Sequence, residues 1–99
     1  MLHIINKSPS QSRTLASCLR LAQDGSAVLL IEDGVYAATK GNADAAALHA
    51  ACGRLQVYAL QPDCDARAVT PMLAEGITLV DYGGFVDLVA QRKTTHSWL

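Results

Sequence analysis

Ala27-Val28-Leu29-Leu30-Ile31-Glu32-Asp33-Gly34 is the stretch on which the fold turns. Five apolar residues succeed one another with no polar alternation, then stop at an acidic pair and a glycine. A strand that faces water on one side alternates, whereas a strand covered on both faces does not. The segment is expected to be an inner strand of a parallel sheet, with Glu32-Asp33-Gly34 as the turn at its carboxyl end. Asp33 is suited to cap the helical turn after it, and Gly34 to relieve backbone strain.

Working outward, Leu2-His3-Ile4-Ile5 reads as a first short strand. Ser8-Pro9-Ser10-Gln11 then has the pattern of a capping box with proline at the first helical position. Leu15, Cys18, Leu19 and Ala22 recur at helical spacing and form an inward stripe. Asp24-Gly25 ends that helix. Downstream, Val35 to Thr39 reads as a helical turn, and Asn42 caps an alanine-rich helix from Asp44 to Ala51. Leu55 to Leu60 is a third strand, Gln61-Pro62-Asp63 a turn, and Cys64 to Val69 a short helix. Ile77 to Val80 is a fourth strand. Asp81-Tyr82-Gly83-Gly84 reads as a loop before a last helix carrying Phe85, Leu88 and Val89 on one face. The tail Thr94 to Leu99 is short, and its Trp98 is expected to dock on the body of the protein.

Strand and helix therefore alternate four times. That order implies an α/β fold: a three-layer, flavodoxin-like (Rossmann-like) parallel sheet with helices on both faces. Residues 1–99 hold one domain and no linker. Chemistry in this class collects beyond the carboxyl ends of the strands, here Asn6-Lys7-Ser8, Glu32-Asp33-Gly34, Gln61-Pro62-Asp63 and Asp81-Tyr82-Gly83.

Composition narrows the function. Of 99 residues, 51% are hydrophobic and 17% charged, which is apolar for a small chain with so much surface. The excess points to an apolar surface that meets another subunit. The net charge is −1 and the densest basic pair is Arg92-Lys93, so autonomous binding to DNA or RNA is not expected. No stretch approaches a membrane span, and Met1 to Ile5 lacks the features of a signal peptide. A cytoplasmic location is expected. Neither GxxxxGK nor GxGxxG occurs, His3, His49 and His96 are dispersed, and no serine stands on a nucleophile elbow. No cofactor or metal is expected.

The three cysteines are odd in number and lack zinc spacing, so free thiols are expected. Cys18 lies in the apolar stripe of the first helix, where buried cysteines are ordinary core residues. Cys64 stands near a strand's carboxyl end and should be accessible, but Asp63 and Asp65 flank it and raise its pKa. Cys52 precedes Gly53 at a helix end and reads as packing.

Three stretches together resemble the DsrH/TusB family: Leu2 through Pro9, Leu29 through Ala38, and Val80 through Leu88. The ending His96-Ser97-Trp98-Leu99 fits as well, so the resemblance covers essentially the whole chain. It implies a flavodoxin-like fold and a heterohexamer built with two related small subunits, one DsrE/TusD-like and one DsrF/TusC-like. It implies that the complex exchanges persulfide sulfur with a DsrC/TusE-like carrier. In one branch the sulfur goes to 2-thiouridine at the tRNA wobble position; in the other it serves dissimilatory sulfur oxidation. Cys18 matches a cysteine of many DsrH-type members and is the candidate persulfide or mixed-disulfide residue, with Cys64 as a weaker rival. A purely structural subunit whose cysteines take no part is the alternative. A free-standing module that binds Mg²⁺ through Glu32 and Asp33 is a third reading.

Overall fold

The computed structural model describes residues 1–42 and 44–98. Five strands form one sheet: β1 (Leu2–Ile5), β2 (Ala27–Leu30), β3 (Gln56–Leu60), β4 (Ile77–Val80) and β5 (Thr95–Trp98). Their order is β4-β3-β2-β1-β5, and every neighbouring pair is parallel. All four residues of β1 and all four of β2 are buried, as the unbroken apolar runs require. A parallel α/β sheet with helices on both faces is therefore what the chain adopts.

The helices are α1 (Thr14–Leu21), α2 (Ala45–Ala51), α3 (Gln61–Ala66) and α4 (Tyr82–Gln91), with a 3-10 segment over Glu32–Ala38. Ile5, Val28, Leu30, Val57 and Ala59 point to one face and pack with Leu15, Leu19, Leu48 and Val69. Leu2, Ile4, Ala27 and Leu29 point to the other and meet Leu88 and Phe85 of α4. The division comes from topology. Connections β1→β2, β2→β3 and β3→β4 step in one direction across the sheet, so crossovers of one hand put α1, α2 and α3 on one face. The connection β4→β5 runs back across the whole sheet and puts α4 alone on the other.

Four local readings change. The tail is a fifth strand, whose His96 and Trp98 are in register with His3 and Ile5. The Ser8 box closes its own turn and stops: Gln11 Oε1 accepts from the Ser8 N–H at 3.1 Å, and the Gln11 and Ser12 N–H groups donate to the Ser8 carbonyl. Helix α1 starts afresh at Thr14, whose N–H donates to Ser12 Oγ at 3.2 Å. Helix α3 begins on Gln61, directly at the end of β3. Helix α4 begins at Tyr82, before its glycines, because the Asp81 carboxylate accepts from the Gly84 N–H at 2.7 Å and supplies the cap that two glycines lack. Gly25 takes the expected left-handed conformation, with φ +86°.

Two arginines fasten the crossovers. Arg54 donates to the carbonyls of Ala22 (2.7 Å) and Leu19, the free acceptors at the end of α1, and pairs with Asp24 at 3.2 Å. Arg92 donates to the Gly25 carbonyl at 3.0 Å and to Gln56 Oε1 at 2.8 Å, holding the end of α4 to the amino ends of β2 and β3. Among the described residues no helix is long and apolar enough to cross a membrane.

Candidate functional site

The expected chemistry rests on the thiols. Cys18 is 0% exposed, on the face of α1 that packs into the core with Leu15 and Leu19. Burial pushes its pKa up to about 11, against a weaker opposing pull from the Arg54 guanidinium. At pH 7 about one Cys18 thiol in ten thousand is then ionised. Cys64 is also 0% exposed, which corrects the expectation of an accessible residue. Because α3 starts on Gln61, Cys64 falls on its inner side and joins the same core as Val35 and Val69. Burial raises its pKa first, then Asp65 and Asp63, with Arg67 opposing. Cys52 is half-buried and donates to the Gly76 carbonyl at 3.7 Å, and burial raises its pKa too. All three are free thiols, and in this conformation each is held in its protonated form.

The carboxyl ends of the strands form a tied network. Glu32 adopts φ +49°, a conformation that a non-glycine residue holds only when its surroundings enforce it. The enforcing contact is Asp63, whose Oδ2 accepts from the Glu32 N–H at 2.7 Å. Next to it Asp33 does not cap; its Oδ1 accepts from Arg67 Nε at 2.9 Å, while Arg67 Nη1 reaches the Asp63 carbonyl at 3.4 Å. Gly34 lies against β1 so closely that a Cβ would fall 2.3 Å from the Ile5 carbonyl oxygen. The acidic turn thus joins the ends of β1, β2 and β3. Its partners Asp63 and Arg67 lie about 30 residues away, and the sequence pattern held no sign of them. Among the described residues no three His, Cys, Asp or Glu side chains converge on a common point. Both Asp33 and Asp63 already have partners.

Two places near this network bear on ligand binding, a cleft and a point marked by topology alone. One is a cleft of about 560 Å³ lined by Ser8, Ser10, Gln11, Tyr36, Thr39 and Asn42, with Asp33 at its side. Its polar groups are hydroxyls, amides and the Asp33 carboxylate, set in a mostly apolar lining that includes Pro9, and it holds no thiol. The other arises from topology. β3 and β4 are neighbours, yet β3 continues into α3 on one face and β4 into α4 on the other. The chain parts there, at Gln61 and Asp81, which is where this class of sheet places its ligands. Gln61 and Asp81 are both exposed, and neither is a nucleophile of the thiol type.

The dispersed histidines are brought together in part. Trp98 Nε1 donates to His3 Nδ1 at 3.0 Å, and the His96 ring lies 4.6 Å from the Trp98 ring and 6.1 Å from that of His3. His3 is buried, and its pKa is lowered first by that burial, then by His96 and by the N-terminal amine. This cluster pins β5 to β1. His49 takes no part in it.

Similarity to known proteins covers the same span. The family described as DsrH like protein matches residues 7–95. The protein TusB of Escherichia coli is 38% identical over 98 residues, covering 99% of this chain and all of the relative. The protein TusB of Serratia proteamaculans is 37% identical with the same coverage. Among solved structures, the ychN protein of E. coli superposes with a TM-score of 0.78 over 97% of both chains at 17% identity. A protein of unknown function from Methanobacterium thermoautotrophicum superposes with 0.76 over 97% of this chain and 95% of its own, at 18% identity. These two structures agree with the sheet described above.

Proposed function

The chain belongs to the DsrH family, and we propose that it acts as the small subunit of a cytoplasmic sulfur-relay complex that serves 2-thiouridine formation at the tRNA wobble position. The observation that carries this reading is the end-to-end match to relatives named TusB, 38% identical over 98 residues. Its partners would be one DsrE/TusD-like and one DsrF/TusC-like subunit in a heterohexamer, and a DsrC/TusE-like carrier. Service in dissimilatory sulfur oxidation is the other branch. A deletion strain separates them: loss of 2-thiouridine from tRNA, restored by this chain, supports the tRNA role, and unchanged thiolation would refute it.

Within such a complex the geometry favours a subunit that supplies surface and leaves the thiol chemistry to its partners. Sulfur transfer requires a thiolate to attack the outer sulfur of a persulfide, so that one S–S bond forms as another breaks and a thiolate departs. Cys18 and Cys64 are sealed and protonated, so neither can make that attack from where it stands. The competing reading, with Cys18 as persulfide or mixed-disulfide residue, draws on the neighbouring Arg54, which favours its thiolate. It requires α1 to move and expose the thiol.

Intact mass measurement decides between the two. The chain is co-expressed with its neighbouring subunits, purified without reductant and loaded by a cysteine desulfurase. The expected result is no adduct on this chain and a gain of about 32 Da, one sulfur, on a partner. A reductant-sensitive adduct on Cys18 would overturn the surface-only reading and make this subunit a carrier.

A further inference from the structure

Helix α4 has the composition of a buried helix and the exposure of a surface one. Only Asp87 and Gln91 of its ten residues are polar. Phe85 and Leu88 turn inward onto the sheet. On the outer side Tyr82 is 61% exposed, Val86 66% and Val89 41%. A helix apolar all round is normally covered on every side.

α4 ends at Gln91, and within it the outer residues are spaced four and then three apart. That is the repeat of a two-helix seam. Gly83 and Ala90, both exposed and both small, flank one edge of the stripe and let a second backbone come close. Asp87 falls away from the seam, so no charge would be buried in it. The ends carry opposite signs, with Asp81 before the first turn and Lys93 after the last. Arg92, beside Lys93, is already bound to Gly25 and Gln56.

We propose that this face of α4 docks on the same face of a second copy of the chain, with the two helices antiparallel about a two-fold axis beside Val86. That arrangement lays Val86 on its own counterpart and sets Tyr82 against the Val89–Ala90 end of the other helix. It brings Asp81 of each copy towards Lys93 of the other and opposes the two helix dipoles. A parallel arrangement would put like charges together at both ends. Self-complementarity is what an isologous contact demands, and the stripe has it. The inference does not depend on the sulfur-relay reading. The seam is short, about 15 Å for ten residues, so the contact by itself belongs to the weak class, with a Kd of about 100 μM.

The full-length chain tests this in two measurements. Sedimentation equilibrium of the wild type should show a reversible monomer–dimer equilibrium, and Val86→Asp should weaken it by about tenfold or more. Val86→Cys should form a disulfide-linked dimer under mild oxidation, because it would stand beside its own copy. Cys18 and Cys64 are buried and would not compete, and the half-buried Cys52 is replaced by serine in the same chain. Dimerisation with Val86→Cys cross-linking supports the proposal. A chain that stays monomeric up to about 1 mM would overturn it. So would a dimer indifferent to Val86→Asp, or an α4 face that cross-links only to a different subunit in the assembled complex. That last result would leave the relay reading intact.

Discussion

Gly34→Ala tests the account of the acidic turn most sharply. The added Cβ would lie 2.3 Å from the Ile5 oxygen and 3.0 Å from the Ile5 carbonyl carbon. That is about 1 Å inside the ~3.3 Å at which carbon and oxygen normally meet. The oxygen has nowhere to retreat. It accepts from the Ile31 N–H at 2.9 Å, and Ile5 is paired on one side with Leu30 and on the other with Trp98. Relief must come from moving the turn away, which stretches that hydrogen bond and disturbs the Asp63 and Arg67 contacts to Glu32 and Asp33. Overpacking costs about 1–3 kcal/mol, and the hydrogen bond adds about 1.

A loss of about 3 kcal/mol is therefore expected, equivalent to a Tm drop of about 12–24 °C for a domain of this size. Two controls isolate the cause. Gly41→Ala meets nothing within 4 Å but sits at φ +82°, so it should cost only about 1–2 kcal/mol of backbone strain. Gly53→Ala has no contact closer than 3.5 Å and no left-handed backbone, and should fall within about 0.5 kcal/mol of wild type. Urea unfolding followed by circular dichroism gives all three. A Gly34→Ala chain within about 1 kcal/mol of wild type would refute the close approach and the role assigned to the turn.

Three further outcomes are expected. In native buffer a thiol reagent should label Cys52 slowly and leave Cys18 and Cys64 unreacted until denaturant is added; rapid labelling of Cys18 would contradict its enclosure. Arg54→Met should cost about 1–3 kcal/mol, because two carbonyls at the end of α1 lose a charged donor, whereas Asp24→Ala should cost about 0.5 kcal/mol or less, its carboxylate being 82% exposed. Equal losses in the two variants would show that the ion pair matters and the carbonyl contacts do not. His3 has a lowered pKa in the folded chain, so the unfolded chain takes up the proton first as pH falls. Stability should be full above the free imidazole value of 6.5 and decline below it. As Trp98 is the only tryptophan, its fluorescence should shift at lower pH, where folded His3 Nδ1 gains the proton and can no longer accept. An emission maximum that stays unchanged as the pH is lowered until the chain unfolds would exclude this coupling.

The sequence carried the parts of the fold that are written locally. Ala27 to Ile31 read as a strand covered on both faces, and the alternation of such runs with Leu15-Cys18-Leu19 periodicity pointed to the class. What it did not carry depends on partners distant in the chain. β5 has three exposed residues out of four and no apolar run, and it becomes a strand because β1 offers an edge and Trp98 a donor to His3, 95 residues away. Glycines at 83 and 84 read as a loop because their cap, Asp81, is a single carboxylate. Cys64 was placed on the surface because a Pro-Asp turn was read before it; with α3 starting at Gln61 instead, one helical turn rotates the thiol into the core. The partners of Glu32 and Asp33 left no local signal at all.

The same rotation bears on function. The crossovers diverge at the ends of β3 and β4, and at the mouth of that divergence Gln61 stands exposed, while Cys64, one turn further along α3, is buried. A thiol at the mouth would be exposed, and Gln61 is; the thiol the chain does possess is enclosed among Val35 and Val69 with two aspartates raising its pKa. The position that chemistry would use is thus filled by an amide, while Asp63, between the two, is committed through Oδ2 to holding Glu32 in its left-handed conformation. Meanwhile Tyr82, Val86 and Val89 of α4 are exposed on the far side of the sheet from Cys18 and Cys64. Thiols turned inward and an apolar helix face turned outward are what the proposed surface-supplying role would require.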